Sequence, residues 1–430
     1  MSALLSRLQL GQKFAVLGVL AFIMVAIPTV MFFRDASDQL AFAQRESTSS
    51  AAFQTLNRLV QYTQAHRGLS AGALAGNQEL AAKRPAMRAK VQKELDALEE
   101  HLKSIGATDN LSGMVRAMRQ SWMQLEQAVS AKQIELADST RAHGQLIADI
   151  LLANEELMSE FGMALDPDAD TYYLIQAALM NMPQLGENLG LMRAQGTGFL
   201  AQKNLPPEGR ASLIALAKRV RETSGDMQRN LKRAIDANPS MRAALATKAE
   251  TSKALVEKML ALADTALIKA SDYSLSSVAY FDEFTRAIDS LYDFNAEAAK
   301  ELATALHARE SKLTYQRNVM LAVLLLGMVI SIALAIAFVR SITRPVQQAV
   351  DVANQVAQGK LDFRLELQGT NETAQLLASL AKMQTNLQGF AAAQQDMVRE
   401  HDQGSLDAVM PTQQFEGVYK DMATSTNNLV

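Results

Sequence analysis

Two long apolar runs constrain this chain more than any other feature. Phe14 to Phe33 is 20 residues without a charge, bracketed by Lys13 and Arg34. Val319 to Val339 is 21 residues without a charge, bracketed by Arg317 and Arg340. Coiled into a helix, each reaches about 30 Å, the thickness of a bilayer core. A buried core helix of that length would carry some polar face, and neither run has one. The first run is also too long for a cleaved leader, and the small-residue stretch Ala41-Phe42-Ala43 lies beyond its end. The short flanks set the orientation. Arg7 and Lys13 precede the first run without an acid, and Arg340 and Arg344 follow the second before Asp351 appears. Positive flanks stay in the cytoplasm, so the segment between the runs is expected outside, in the periplasm of a bacterial cell with the chain in its inner membrane.

Composition narrows what lies between them. Apolar residues are plentiful while Trp occurs once, and Gly and Pro are few, which favours long helices over sheets. A formal net charge of −3 offers no basic field for nucleic acid. The absence of cysteine excludes disulfides, thiolate metal sites and thiol nucleophiles. The expected class is all-α: two membrane helices, an outer sensor of two four-helix bundles stacked end to end, and a cytoplasmic coiled coil.

The outer segment, 34–318, repeats apolar residues at helical spacing, as in Leu95, Leu98, Leu102 and Ile105, or Met114, Met118, Trp122 and Leu125. Breaks near Gly76-Asn77, Gly106 to Asn110, Asp166-Pro167, Asn204 to Pro207 and Asn238-Pro239 predict helices over 35–76, 83–105, 111–164, 168–203, 207–236 and 240–318. Asp109 or Asn110, Asp166 and Asn238 suit helix starts. The last helix would extend about 118 Å, and that length is what suggests two tiers sharing the long helices.

An internal repeat adds a candidate site. HRGLSAGALAGN around Arg67 and MRAQGTGFLAQK around Arg193 match at Arg67/Arg193, Gly72/Gly198, Leu74/Leu200 and Ala75/Ala201 with one offset of 126 residues. Each copy would head one bundle and place its arginine equivalently. A guanidinium fork matches a planar oxyanion with two coplanar hydrogen bonds, and the small neighbours Gly68, Ser70, Ala71, Gly72, Gly196, Thr197 and Gly198 would leave it a niche. Arg67 and Arg193 are therefore candidate ligand-binding residues, with Ser70 and Thr197 as further donors. The same arginine would serve equally as the partner of a carboxylate, with the glycines allowing close helix packing. Asp166, Asp168 and Asp170 imitate a calcium loop, but Thr171 and Ala177 stand where glycine and glutamate are required. No two of the five histidines share a helical turn, so no metal or cofactor is expected.

QAHRGLSAGALAGN resembles the signature of nitrate- and nitrite-sensing domains, and LDPDADTYYL with MPQLGENLGLMRAQGTGFLA resembles the outer regions of proteobacterial chemoreceptors. The first resemblance implies paired helical bundles and an anion held by arginine, at Arg67 and more loosely at Arg193. The chain departs from that signature in carrying His66 where glutamate is usual, and it lacks a doubled arginine.

After Arg340 come two heptad seams, Val346, Ala349, Ala353 and Val356, then Leu376, Leu380, Met383, Leu387 and Phe390, joined by a connector. Over 340–393 this resembles a HAMP domain, with Pro345 at its early proline, Gly359 and Leu361 at the connector's G-x-L, and Glu372 opening the second helix. Residues 394–430 resemble the start of a second such unit, through Gly404, Leu406 and Asp407 and then Phe415, Val418, Met422 and Leu429, interrupted before an output domain.

No catalytic constellation is present, so the expectation is a receptor rather than an enzyme. The organisation predicted is a cytoplasmic N-terminus (1–13), membrane helix (14–33), sensor (34–318), membrane helix (319–339), HAMP domain (340–393) and signalling segment (394–430). The resemblances imply a homodimeric methyl-accepting chemotaxis receptor, signalling through a coupling protein and a histidine kinase. The alternative is the front end of a sensor histidine kinase or diguanylate cyclase.

Overall fold

The computed structural model describes residues 8, 10–365 and 369–429, and among these every regular element is helical. Arg7, one of the orienting charges, and residues 366–368 of the HAMP connector lie outside the described residues. The chain divides into two compact units, residues 34–317 and residues 1–33 with 318–430.

The first unit begins within α1 (Leu10–Leu74) and continues through α2 (Gln78–Ser104), α3 (Asp109–Ser130) and α4 (Leu136–Glu160). It then follows α5 (Ala169–Ile175), a π turn at Gln176–Asn181, α6 (Met182–Gln202), α7 (Pro207–Ala237) and α8 (Arg242–Ala263), and enters α9 (Ser277–Phe338). One apolar core joins these helices. On α3 the buried residues Leu111, Val115, Met118, Trp122, Leu125 and Val129 step by three and four, so one stripe faces inward. Asn77, Thr108 and Asn238 accept backbone N–H groups at helix starts. Asp109 instead sits inside the first turn of α3, beside the positive end of the helix dipole. Asp166 accepts from the Asp168 amide.

Three expectations are corrected. The helix predicted over 111–164 breaks at 131–135, where Lys132 takes φ 53° and the Gln133 amide bonds back to the Ala128 carbonyl. Glycine usually fills such a left-handed position, so a lysine there leaves no mark in the sequence. The helix predicted over 240–318 ends in a π turn (Asp264–Ile268) and an irregular stretch at 269–276, and α9 starts afresh. The bundles are also not stacked end to end. One turn of α1, Gln64 to Arg67, touches Trp122 of α3, His143 of α4, Glu187 and Arg193 of α6, and Tyr292 of α9. Helices from both halves of the unit therefore lie side by side at one level, and the broken helices are short enough to allow it.

The second unit contains the two apolar helical stretches, each long and apolar enough to cross a membrane and with no residue of the most apolar window buried. A π turn (Val339–Thr343) leads into α10 (Arg344–Ala357), with Pro345 in its first turn. Gly359, at φ +76°, closes that helix. Glu372 lies in the first turn of α11 (Glu372–Asp402), behind the Asn371 cap. The connector is pinned by Gln384 Nε2, which donates to the Leu361 and Phe363 carbonyls at 2.6 and 2.8 Å. Within the chain, α10 and α11 bury Ala349, Val352, Ala374 and Leu377, while Val350 and Leu376 remain about half exposed. A small core of Met397, Met410, Phe415 and Ala423 holds α12 (Gly417–Asn427), leaving Leu406, Val418 and Leu429 largely exposed.

Candidate functional site

Arg67 is 1% exposed, which requires an anionic or hydrogen-bonding partner, and Glu187 supplies it. The Arg67 fork donates to both carboxylate oxygens, Nη1 to Oε1 at 2.7 Å and Nη2 to Oε2 at 3.0 Å. Gln64, one turn earlier on α1, donates to the same Oε2 at 2.9 Å and accepts from the Tyr292 hydroxyl at 3.0 Å. Gly190, a turn beyond Glu187 on α6, makes room: a Cβ there would stand 3.0 Å from the Arg67 Nη2.

The second arginine of the repeat arrives at the same level. Arg193 donates to the Thr285 hydroxyl at 2.9 Å and lies over the Phe281 ring at 4.8 Å, within cation–π range. Its Nη2 points at the Gln64 carbonyl at 3.5 Å. Gly68 fits beneath it, since a Cβ there would stand 3.2 Å from Phe281 and 3.6 Å from the Arg193 Nη2. Burial, and then the nearby Arg67, pull the Arg193 guanidinium down to about 10, offset by Asp289 and Glu187. The two arginines of the repeat, one on α1 and one on α6, therefore meet at one level. They converge on one buried layer holding two guanidinium groups and a single closely paired carboxylate, an arrangement that favours an added anion.

Ser70 and Thr197 stand apart from this layer. The Ser70 hydroxyl lies 3.3 Å from His66 Nδ1. The Thr197 hydroxyl is buried without a hydrogen-bond partner among the described residues. Gly72 packs under Leu80, and among the described residues nothing lies within 4 Å of where a Cβ on Gly198 would stand.

Residues 77 apart in sequence form a second polar cluster. His66 Nδ1 sits 2.9 Å from His143 Nε2, with Trp122 edge-on to His66 at 4.7 Å. His143 Nδ1 donates to the Ser139 carbonyl at 2.7 Å, which fixes its tautomer. Burial, chiefly, holds His66 down at about 2 and His143 at about 4, so both rings are neutral near pH 7. Among the described residues no group of three or more metal-ligating side chains is placed to hold an ion.

A third cluster ties α1 to α9. Arg309 donates to Glu46 at 2.8 Å and to Asp166 at 2.6 Å, and its Nε is 3.0 Å from Asp168. The Asp166 Oδ1 accepts from the Thr171 hydroxyl at 2.8 Å. Glu46 is fully buried; burial first, then Asp166, raise its carboxyl to about 8. Beside it, the Ser47 hydroxyl meets His307 Nδ1 at 2.8 Å.

These groups predict the pH profile of folding. Below about pH 6.5 the unfolded chain protonates both histidines while the folded chain resists, so stability falls on acidification. Between about 4.5 and 8 folded Glu46 keeps a proton that the unfolded chain has released, so stability falls as pH rises through that window. Two histidine protons outweigh one carboxyl proton on the acid side, and above 6.5 Glu46 dominates, with Arg193 working against it only toward pH 9. Thermal scans from pH 4 to 9 should therefore peak near pH 6.5, and Glu46→Gln should flatten the alkaline limb.

Sequence reasoning missed Glu187, Gln64, His143 and the Arg309 cluster, because each pairing spans more than 70 residues. A weak signal existed for Glu187, which precedes Arg193 by six residues, just ahead of the second repeat copy.

Comparison with known proteins adds three findings. The family model described as nitrate and nitrite sensing matches residues 58–303, enclosing both arginines and Glu187. The HAMP domain model matches residues 337–389. The solved structure of the NasR transcription antiterminator is similar over 83% of this chain and 94% of its own, at 18% identity and a TM-score of 0.54, a likeness of fold alone. No curated protein matches the chain.

Proposed function

The chain belongs to the nitrate- and nitrite-sensing family and carries a HAMP domain, and from that premise we propose that it is a membrane receptor for nitrate or nitrite. The observation that carries this reading is the convergence of Arg67 and Arg193 on one buried layer around Glu187. A planar anion there meets one fork bidentately and a second cation beside it, in surroundings where water competes poorly. Trigonal nitrate and bent nitrite both present two oxygens in a plane to such a fork.

The layer also binds together α1 and α9, the helices that carry the two apolar stretches. An anion that draws Arg67 of α1 and Arg193 of α6 together alters the packing of α1 against α9, and a small shift of either helix is what a HAMP helix pair is suited to convert. Such packings switch between discrete arrangements, and the anion biases them only by its differential affinity. Leu376, on the second heptad seam and half exposed, supports a homodimer in which a second chain covers the seam. The output we favour is chemotaxis signalling from the bacterial inner membrane, with the sensor in the periplasm, no catalysis in these residues, and a coupling protein and histidine kinase downstream.

Arg193→Lys keeps the charge but removes the planar fork and its stacking on Phe281. In detergent-solubilised full chain, nitrate affinity should fall at least tenfold, about 1.4 kcal/mol, with little change in helical content. Nitrate affinity equal to wild type would remove Arg193 from the site.

A further inference from the structure

The Arg67 fork is already filled by a carboxylate, which presents to it the same pair of coplanar oxygens that nitrate would. We propose that Glu187 is a built-in ligand of Arg67 that an incoming anion displaces, and that the groove above it is both the entry route and the place to which the carboxylate swings. This rests on the anion-receptor reading and adds the event by which binding changes the sensor.

Three observations carry it. Glu187 is the one member of the pair with access to solvent: its side chain is 13% exposed while that of Arg67 is 1% exposed. It lines a groove of about 480 Å³ between α4 and α6, whose wall also includes Gly144, Asn188, Glu155 and Arg219. Gly144 leaves Arg67 reachable from that side, since even a Cβ at that position would stand only 3.9 Å from the Arg67 Nη1. A carboxylate leaving Arg67 therefore has open space beside it and a second guanidinium, Arg219, in the same wall. Gln64, which donates to the Glu187 Oε2, stays behind as a donor for the anion that replaces it.

The exchange accounts for how an occupied buried pair can signal. Breaking a buried ion pair without replacement leaves an uncompensated charge, a large penalty. Replacement by nitrate keeps the Arg67 charge compensated and frees α6 from α1 at Glu187. The anion then holds Arg67 while the Glu187 carboxylate engages the groove, so two arrangements of α6 become separable by ligand. An internal competitor also sets the working range, because the apparent affinity for nitrate is its intrinsic affinity reduced by the strength of the Glu187 contact.

The test is nitrate titration of the full chain by calorimetry, wild type against Glu187→Gln. The glutamine keeps the shape and a hydrogen-bonding oxygen but removes the competing charge, so the variant should bind nitrate about tenfold tighter or more, while unfolding at a lower temperature without nitrate. Tight binding by E187Q with no measurable binding by wild type supports the proposal in its strongest form. Equal or weaker binding by E187Q than by a wild type that does bind overturns the displacement and leaves the receptor reading standing. Absence of binding in both overturns both. Should E187Q not fold, Arg219→Ala leaves the buried pair intact and should weaken nitrate binding severalfold by removing the carboxylate's new partner. Unchanged affinity in a folded R219A overturns the proposal.

Discussion

Arg309→Ala should lower the stability of the sensor by about 3–5 kcal/mol and its unfolding midpoint by about 10 °C. Arg309 donates to Glu46 and Asp166, both fully buried at the side chain, and lies against the more exposed Asp168. Without the guanidinium, Asp166 loses its ion-pair partner and Glu46 loses the cation that holds its carboxyl down against burial. The deficit should grow with pH, because each step upward makes the Glu46 proton harder to keep. Circular dichroism melts at pH 6 and pH 8.5 measure it. A loss below 1 kcal/mol at both values would show that the cluster adds nothing to the junction of α1, α9 and the 162–171 segment. The Glu46→Gln, Arg309→Ala pair should lose less than the single arginine variant, since one carboxylate is then removed along with its partner.

The second large effect falls on Arg67. Arg67→Ala removes both hydrogen bonds to Glu187 and leaves a void in the layer shared with Gln64, Tyr292 and Arg193. Glu187 can escape into its groove, so the stability cost should be about 2–3 kcal/mol, smaller than for Arg309. The effect on ligand should be much larger. Loss of the fork that meets the anion bidentately is expected to weaken nitrate binding at least a hundredfold, about 2.7 kcal/mol. Arg67→Lys should recover part of the stability and little of the binding, because an ammonium offers a point charge and no coplanar pair of donors.

What could be read in advance followed from local signals. The apolar runs are continuous in sequence, so their helices needed no knowledge of the fold. The HAMP region was equally legible, because Pro345, Gly359, Leu361 and Glu372 act through local geometry at helix ends and in one connector. Arg67 and Arg193 stood out because a repeat marked them, yet their meeting was hidden. It depends on two helix breaks, one at Lys132 without a glycine and one across 269–276, that place both halves of the sensor side by side. Taken as continuous, those helices demanded two tiers and kept the arginines apart. His66 illustrates the same limit. Its departure from the usual glutamate is visible in the sequence, whereas His143, the residue it pairs with, is identified only by three-dimensional proximity. The carboxylate that answers Arg67 is 120 residues away on another helix. Burial creates the demand for such a partner, but sequence spacing does not say which acid meets it.

The layer of Arg67 and Arg193 is the proposed seat of a small oxyanion. The most direct measurement is calorimetric titration of nitrate into the purified full chain, with wild type and Arg67→Ala side by side at one ionic strength. Saturable heat in wild type that disappears in a folded Arg67→Ala variant is the predicted result. Saturable heat that survives Arg67→Ala undiminished, or none in either protein, would contradict it.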